Sequence, residues 1–598
     1  MTVTGKTTLG GGQTGIIGTG PRLSVSLHGD SEIHDDHSRL VGLEGDHARV
    51  MLHGSTHLAR SGIGIDITGG NAEVVHEGHM KLLYAKAVGT RLTGDMARYI
   101  EKGRLDIHAP KGHGVLITGD NALLHAERGS RIEATHSTTA LSVIGSRATV
   151  TLDGSMQLHR SAVGLALSGH SNKVNISSRE IQVRGGNSVA LKVHGDNNTI
   201  TLSGQITLRP NELLPASQLI EPLTAIWVDG NNNKVDINSL GLDGQLLRLG
   251  TPRGLNGHGH SFGITTRSNG LRIHGDANQV QVNGPVFYRQ VTKRLTDAQL
   301  TGISETDVPL RSRPGLLVKV SGKSSVLMKH KINVRGIFAS TPTLFRASHG
   351  ASLTLVQGAS LESEELTVIQ PVTFATLHSL MEASGAGSTL DNAALLALHG
   401  GAGLAARDQG RVENNGQLSS RLASTLQSAA DAEWAGPLQG AYALAAVGTG
   451  SMASNRRSLF VSLANDVAAH KTGSPALVLS QFNATRPGIT AMTAVDGGKV
   501  RNEEGSTIQT EGIGASGMSA HGRPYSPPRH ATLAWNLGSI AVNPAINNKL
   551  TLRDSALVGS DPGWLPLAAH EYGLGLSAGS LRADGGSTGT PIVNATAI

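Results

Sequence analysis

The chain has 598 residues, of which 16% are charged and 3% aromatic, with 77 glycines, no cysteine and a formal net charge of +6. That length exceeds one compact core, and the plentiful branched aliphatics exclude a disordered chain. A charge of +6 spread this thinly, without Lys/Arg clusters interleaved with aromatics, excludes a nucleic-acid groove.

The opening residues 1–20 carry no apolar core and no small-residue cleavage site, so the expectation is a processed or trimmed piece without a leader. No stretch reaches the length of a membrane span. The absence of cysteine fits export by a route that accidental disulfides would block.

A repeat begins near residue 40. Take as ruler Gly45, Gly69, Gly94, Gly119, Gly145, Gly169, Gly195, Gly230 and Gly275, whose first six steps are 24, 25, 25, 26, 24 and 26 residues. The last two steps, 35 and 45, are the same period plus insertions such as the one at 209–223. Two residues before each ruler glycine stands an aliphatic: Leu43, Ile67, Leu92, Ile117, Val143, Leu167, Val193, Val228 and Ile273. Five residues after it stands Val50, Val74, Tyr99, Leu124, Val150, Val174, Ile200, Val235 or Val280. One residue after it, Asp46, Asp95, Asp120, Asp196 and Asp276 recur.

Spacing of two within each unit is strand periodicity. In 191–208 the inward set is Leu191, Val193, Ile200, Leu202, Ile206 and Leu208. Each unit reads as two or three short strands joined by turns rich in residues that tolerate positive φ. Such a unit buries too little surface alone, and its strand edges need partners. Stacking solves both problems, which predicts an all-β fold: a right-handed parallel β-helix (β-solenoid) with coils of about 25 residues. At about 4.8 Å per coil, twenty-odd coils predict a rod on the order of 100 Å long. The recurring aspartates read as turn residues. A calcium ladder is rejected, because the known calcium-binding repeat has a period of about nine residues.

The predicted organisation is a regular solenoid over 1–290, a polar junction or long loop over 291–340, and a less regular continuation over 341–598. The later coils share a β–Asn–Gly–β style, at 410–418, 498–512 and 535–543. Between them, Ala/Ser/Leu-rich stretches at 418–436 and 458–471 suit either protruding loops or short helices.

The segments at 413–420, 500–520 and 536–543 resemble the Asn-Gly-x-Ile style of passenger domains in bacterial autotransporters, the adhesin and pertactin-like type V secreted proteins. That resemblance implies a right-handed β-helix displayed outside an outer membrane, and here the family's C-terminal translocator barrel is missing. It implies an elongated cell-surface or secreted passenger that mediates bacterial adhesion or self-association (autoaggregation, biofilm, virulence). The partners would be a host-cell surface, extracellular matrix, or the same protein on a neighbouring cell, with no nucleic acid.

Enzymatic motifs are fragmentary. The stretch 257–263 and Arg272–His274 resemble strips of polygalacturonases, but their acid partners would be Asp35 and Asp36, more than 200 residues earlier. Ser451 within 448–454 approaches a subtilase motif broken by an extra glycine, and 28–32 lacks the second glycine of a chymotrypsin-like motif. His28, His34 and His37 fall on no single strand face and read as turn residues. The four tryptophans, Trp227, Trp434, Trp535 and Trp564, are scattered, which argues against a sugar-stacking cleft. The expectation is therefore a non-enzyme with no catalytic residues, cofactor or metal. The alternative is a polysaccharide-degrading β-helix enzyme, polygalacturonase-like or a phage tailspike; a third is a secreted rod with a toxin or signalling role. The 26 histidines add a pH hypothesis, since full protonation would carry the net charge toward +32.

Overall fold

The computed structural model describes residues 1–178, 180–184, 187–209, 223–238, 240–243, 246–250, 268–289, 316–338, 343–368, 379–399, 403–422, 441–463, 489–511, 515–521, 532–543, 567–570, 573–577 and 580–583. Among them every regular element is a strand, and nearly every pairing is parallel. The chain is a parallel β-helix. Two compact units are built mainly from Met1–Gly241 and from Val282–Ile598.

In the first unit each coil contributes three strands. A six-residue strand such as Val88–Thr93 belongs to sheet 1, Arg98–Glu101 to sheet 2 and Arg104–Ile107 to sheet 3. The aliphatic file predicted from the repeat is real. Leu43 pairs in register with Ile67, Ile67 with Leu92, Leu92 with Ile117, and so on through Val143, Leu167, Val193, Val228 and Ile273. Every member is at most 2% exposed, as is every member of the file from Val50 to Val280. The set Leu191, Val193, Ile200, Leu202, Ile206 and Leu208 is wholly buried. At about 2 kcal/mol for each buried aliphatic, these files supply the driving force for stacking.

The ruler glycine is dictated by proximity. Gly119 has φ +148°, and a Cβ there would lie 2.2 Å from the carbonyl oxygen of Gly94. No L side chain fits, because turn backbones of successive coils lie directly upon one another. Two residues later, non-glycine residues such as His47, Asn71, Met96 and Asn121 occupy the left-handed region, at φ between 56° and 58°.

One pairing is antiparallel: Gln205–Arg209 meets Leu246–Gly250. This departs from the expectation that every coil pairs in parallel, and it falls where the period lengthens. The segment 291–340, expected to be a junction or loop, is strand in its latter part. Val318–Ser321, Ser325–Met328 and Ile332–Phe338 form a complete coil, while 290–315 lies outside the described residues.

The second unit repeats the three-sheet plan with a different signature. Five of its sheet-2 strands, Thr389–Asn392, Arg411–Asn414, Met452–Asn455, Lys499–Asn502 and Thr532–Asn536, end on asparagine. Of the stretches expected as loops or helices, Gln417–Leu422 and Ser458–Leu463 are strand. Their remainders, 423–436 and 464–471, lie outside the described residues.

Candidate functional site

Parallel stacking in register turns each sequence position into a row, so the candidate functional features are rows of side chains. The first row follows the ruler glycine. Asp46 Oδ1 accepts the backbone N–H of Gly70 at 2.7 Å, Asp95 that of Asp120 at 2.8 Å, and Asp120 that of Ser146 at 2.9 Å. Asp196 accepts from Asn231 at 2.7 Å and Asn231 from Asp276 at 2.8 Å. The aspartates are thus turn residues, but each serves the next coil rather than its own turn.

The second row was not legible as a column. Three residues after the ruler stand buried Ala48, Ala72, Ala97, Ala122 and Ala148, and then Asn172, Asn198, Asn233 and Asn278. Asn172 accepts the N–H of Ala148, Asn198 that of Asn172, Asn233 that of Asn198 and Asn278 that of Asn233, at 2.7–2.9 Å. The signal was present as the tetrapeptide Gly-x-x-Asn at the last four of these coils. Its change from a small apolar residue to an amide hid it.

The outer faces carry charges that alternate from coil to coil. On sheet 1, Asp66 receives two hydrogen bonds from Arg91, at 2.8 and 2.6 Å, and an ion pair from Arg39 at 3.1 Å. On sheet 2, Glu73 sits between Arg49 and Arg98. On sheet 3, Asp106 receives His79 and Arg104, each at 2.9 Å. Burial opposes ionisation of Asp106, but those two donors hold its carboxyl below the usual range. Between sheets 2 and 3 the row His28, His53, Glu77, Lys102, Glu127 runs along the turn. His28 stacks on His53 at 4.4 Å, and Glu77 lies 2.9 Å from His53 and 3.3 Å from Lys102.

One ionisable cluster is interior. His76 and Glu101 occupy the file of Leu52 and Ala126, fully buried, with His76 Nδ1 2.8 Å from Glu101 Oε2. The hydroxyl of buried Tyr99 donates to the same oxygen at 2.6 Å, and Gly103 N–H donates to the other at 2.9 Å. Burial and the adjacent carboxylate push the Tyr99 hydroxyl well above its ordinary pKa. Residues that replace leucine in an inner file one coil apart gave no warning in the linear sequence.

Among the described residues the enzymatic fragments do not assemble. Asp35 accepts the N–H of Gly11, and Asp36 accepts both the N–H and the hydroxyl of Ser61, at 3.0 and 2.6 Å. Those bonds from Ser61 hold the Asp36 carboxyl below its ordinary pKa. His28 contacts Ser26 and His53, His34 lies 3.3 Å from Glu32, and His37 is a turn residue with φ 67°. They do not converge. Among the described residues no group of three or more His, Asp or Glu side chains is arranged to hold a metal ion. Ser451 is buried, donates to Val447 O at 2.7 Å and accepts from Gln409 N–H at 3.1 Å, as turn residues do. His258 and its neighbours at 257–263 lie outside the described residues, as do Trp434 and Trp564. Trp227 lies on sheet 1 and Trp535 on sheet 2, each against in-register cations.

Known proteins bear on this architecture in two ways. A family described as the BigA third pectate lyase-like domain matches residues 343–598. The chain is also 27% identical over 334 residues to the Salmonella typhimurium protein named "Putative surface-exposed virulence protein BigA". That alignment takes in 55% of this chain and 15% of the relative, so the chain spans only a small part of the relative's length.

Proposed function

We propose that this chain is part of a bacterial surface protein, displayed or secreted in the manner of an autotransporter passenger, that mediates adhesion or self-association without catalysing a reaction. The observation that carries the reading is the set of outer rows. Polar and charged side chains recur at one-coil spacing on all three sheets of the first unit, with opposite charges paired across coils at Asp66, Glu73 and Asp106. Such rows offer many weak contacts at a fixed pitch, and linked weak contacts gain strength through avidity. The name of the Salmonella relative supports a surface setting. Host surface, matrix and a second copy of the chain on a neighbouring cell all suit such contacts.

The test is display of the chain on a non-aggregating bacterium. Settling of the culture or retention on host cells supports the reading; a displayed chain that changes neither overturns it. Settling at pH 5 compared with pH 8 tests whether the histidines make association pH-dependent.

A second reading, a polysaccharide-degrading enzyme, is favoured by the pectate lyase-like description of the family that matches 343–598. Release of reducing ends or unsaturated sugars from acidic polysaccharide by the purified chain would establish it over the adhesin reading.

A further inference from the structure

In the outward file of sheet 1, Asp66, Arg91, Leu116, Ser142, Ala166, Lys192, Trp227 and Arg272 follow one another coil by coil. The two ends of this file treat their cations differently. At one end Arg91 is clamped by Asp66. At the other, Lys192 Nζ lies 4.8 Å from the Trp227 ring centroid and Arg272 Cζ lies 4.3 Å from it. The indole is held between two cations on neighbouring coils, and among the described residues neither cation pairs with a carboxylate. Asp229, two residues along the same strand from Trp227, is engaged by His194 at 3.5 Å.

Two positive charges brought to one ring, with no carboxylate against them among the described residues, repel each other, and the ring's quadrupole offsets that only in part. A guanidinium stacked on an indole keeps its in-plane N–H donors free, in the fork geometry that matches a sulfate or carboxylate. Lys192 and Arg272 stand two coils apart, roughly 9.5 Å along the file. A linear ligand with oxyanions at intervals would meet both. Neutral sugars and bases, by contrast, need an open aromatic face, and both faces of Trp227 are occupied.

We propose that Lys192, Trp227 and Arg272 form a binding site for a linear anionic polysaccharide, its sulfate or carboxylate groups received by the two cations and its chain laid along sheet 1. Trp227 is the positioning residue, fixing the cations at their spacing. The site lies outside the segment that resembles the pectate lyase-like family, and the proposal is one of binding, with no bond broken. It deepens the adhesin reading by naming a ligand class, and it rests on that reading only for its biological setting.

The test measures binding of the full chain to fluorescent heparin fragments, with hyaluronate as the carboxylate-only arm and duplex DNA as the counter-probe. K192Q/R272Q should weaken heparin binding roughly tenfold or more, the consequence of losing charge-assisted bonds. W227A should weaken it too, whereas W227F, which keeps a ring face, should retain most of the affinity. R49Q/R98Q, an equal loss of charge at arginines already paired with Glu73, should change it little. Matching thermal unfolding of all variants checks that the fold persists. Hyaluronate binding as tight as heparin assigns the ligand to carboxylates, and weaker binding assigns it to sulfates. No glycan binding, equal losses in the two double variants, or DNA bound as tightly as heparin would overturn the site. Displayed cells that still settle without glycan binding would leave the adhesin reading standing, and glycan binding without settling or retention would overturn that reading alone.

Discussion

In the first unit the fastener between coils is a side chain that accepts a backbone N–H from the neighbouring coil, as Asp120 accepts from Ser146. In the second unit it is one asparagine side chain bonded to the next. Asn392 Nδ2 donates to Asn414 Oδ1 at 2.7 Å, and Asn414 to Asn455, Asn455 to Asn502 and Asn502 to Asn536, each at 2.8 Å. All five asparagines are fully buried. The two devices sit at different places in the coil. The turn acceptor needs the close glycine contact beside it, and its regular coils bond across 24 to 26 residues. The amide zipper sits at a strand end, and its partners lie 22, 41, 47 and 34 residues apart. The acceptor also bridges the lengthened coils, across 35 residues from Asp196 to Asn231 and 45 from Asn231 to Asp276, so both devices admit insertions; they differ in seat, one in the tight turn and the other at a strand end.

Substitutions can break this contrast. Gly119→Ala should be the most damaging, because it combines a forbidden φ with a Cβ 2.2 Å from backbone that cannot move aside. The expected loss is about 4 kcal/mol or more in chemical denaturation. Next, Asn455→Ala should cost about 3 kcal/mol, since it takes the acceptor from a buried Asn414 N–H and leaves Asn502 Oδ1 with only the Ser506 hydroxyl as donor. Asn198→Ala should cost less, about 1–2 kcal/mol, because it leaves the Asn172 N–H without its side-chain acceptor. The earlier coils already carry alanine at that position. Equal losses at Asn455 and Asn198 would erase the distinction between the units.

Acid should also separate them. Burial holds the His113 ring below its ordinary pKa, and burial with the nearby Arg184 does the same to His159. The unfolded chain therefore binds more protons below pH 6.5. Stability from these groups is present above that pH and is lost as pH falls. Peptide-resolved hydrogen exchange at pH 7 and pH 5.5 should show 104–168 loosening before 381–463, and His113→Asn with His159→Gln should narrow the gap. In alkali the second unit should weaken between pH 10 and about 12, where burial has pushed the Tyr442 hydroxyl. There the folded state keeps a proton that the unfolded state has lost, so stability falls as pH rises. The smallest effect is expected at Asp120→Asn. It keeps the acceptor for Ser146 N–H and loses an exposed ion pair to Arg147, so thermal unfolding should report a change within about 0.5 kcal/mol.

How much of this was legible follows from what repetition preserves. The file from Leu43 to Ile273 was readable because each coil keeps one property at a fixed offset. The Ala-to-Asn file at Ala148 and Asn172 was not, because its property changes midway. His76 and Glu101 were illegible because their meaning lies in each other, one coil apart, at positions where other coils carry leucine or alanine. Trp227 looked isolated because its cations lie 35 and 45 residues away, across the insertions that interrupt the period. The coil at 318–338 reads as junction in the linear sequence because polar residues and prolines precede it. The Asn–Gly style of the later coils was visible at Asn414, Asn502 and Asn536. It was invisible at Asn392 and Asn455, where no such glycine follows.

The corner between sheet 3 and sheet 1 has a practical consequence. Arg209 and Leu223, Leu422 and Ala441, and Leu463 and Ile489 flank this corner, and the strands they belong to keep their pairings. Doubling the length of a flexible connection adds only about 0.6 kcal/mol of closure entropy. This vertex is the natural port for foreign cargo: an epitope or reporter spliced into a short bend such as 135–138 would leave the strand ladders on either side paired, at the expense of the inter-coil bonds that Ser137 makes with Lys111 and Arg160.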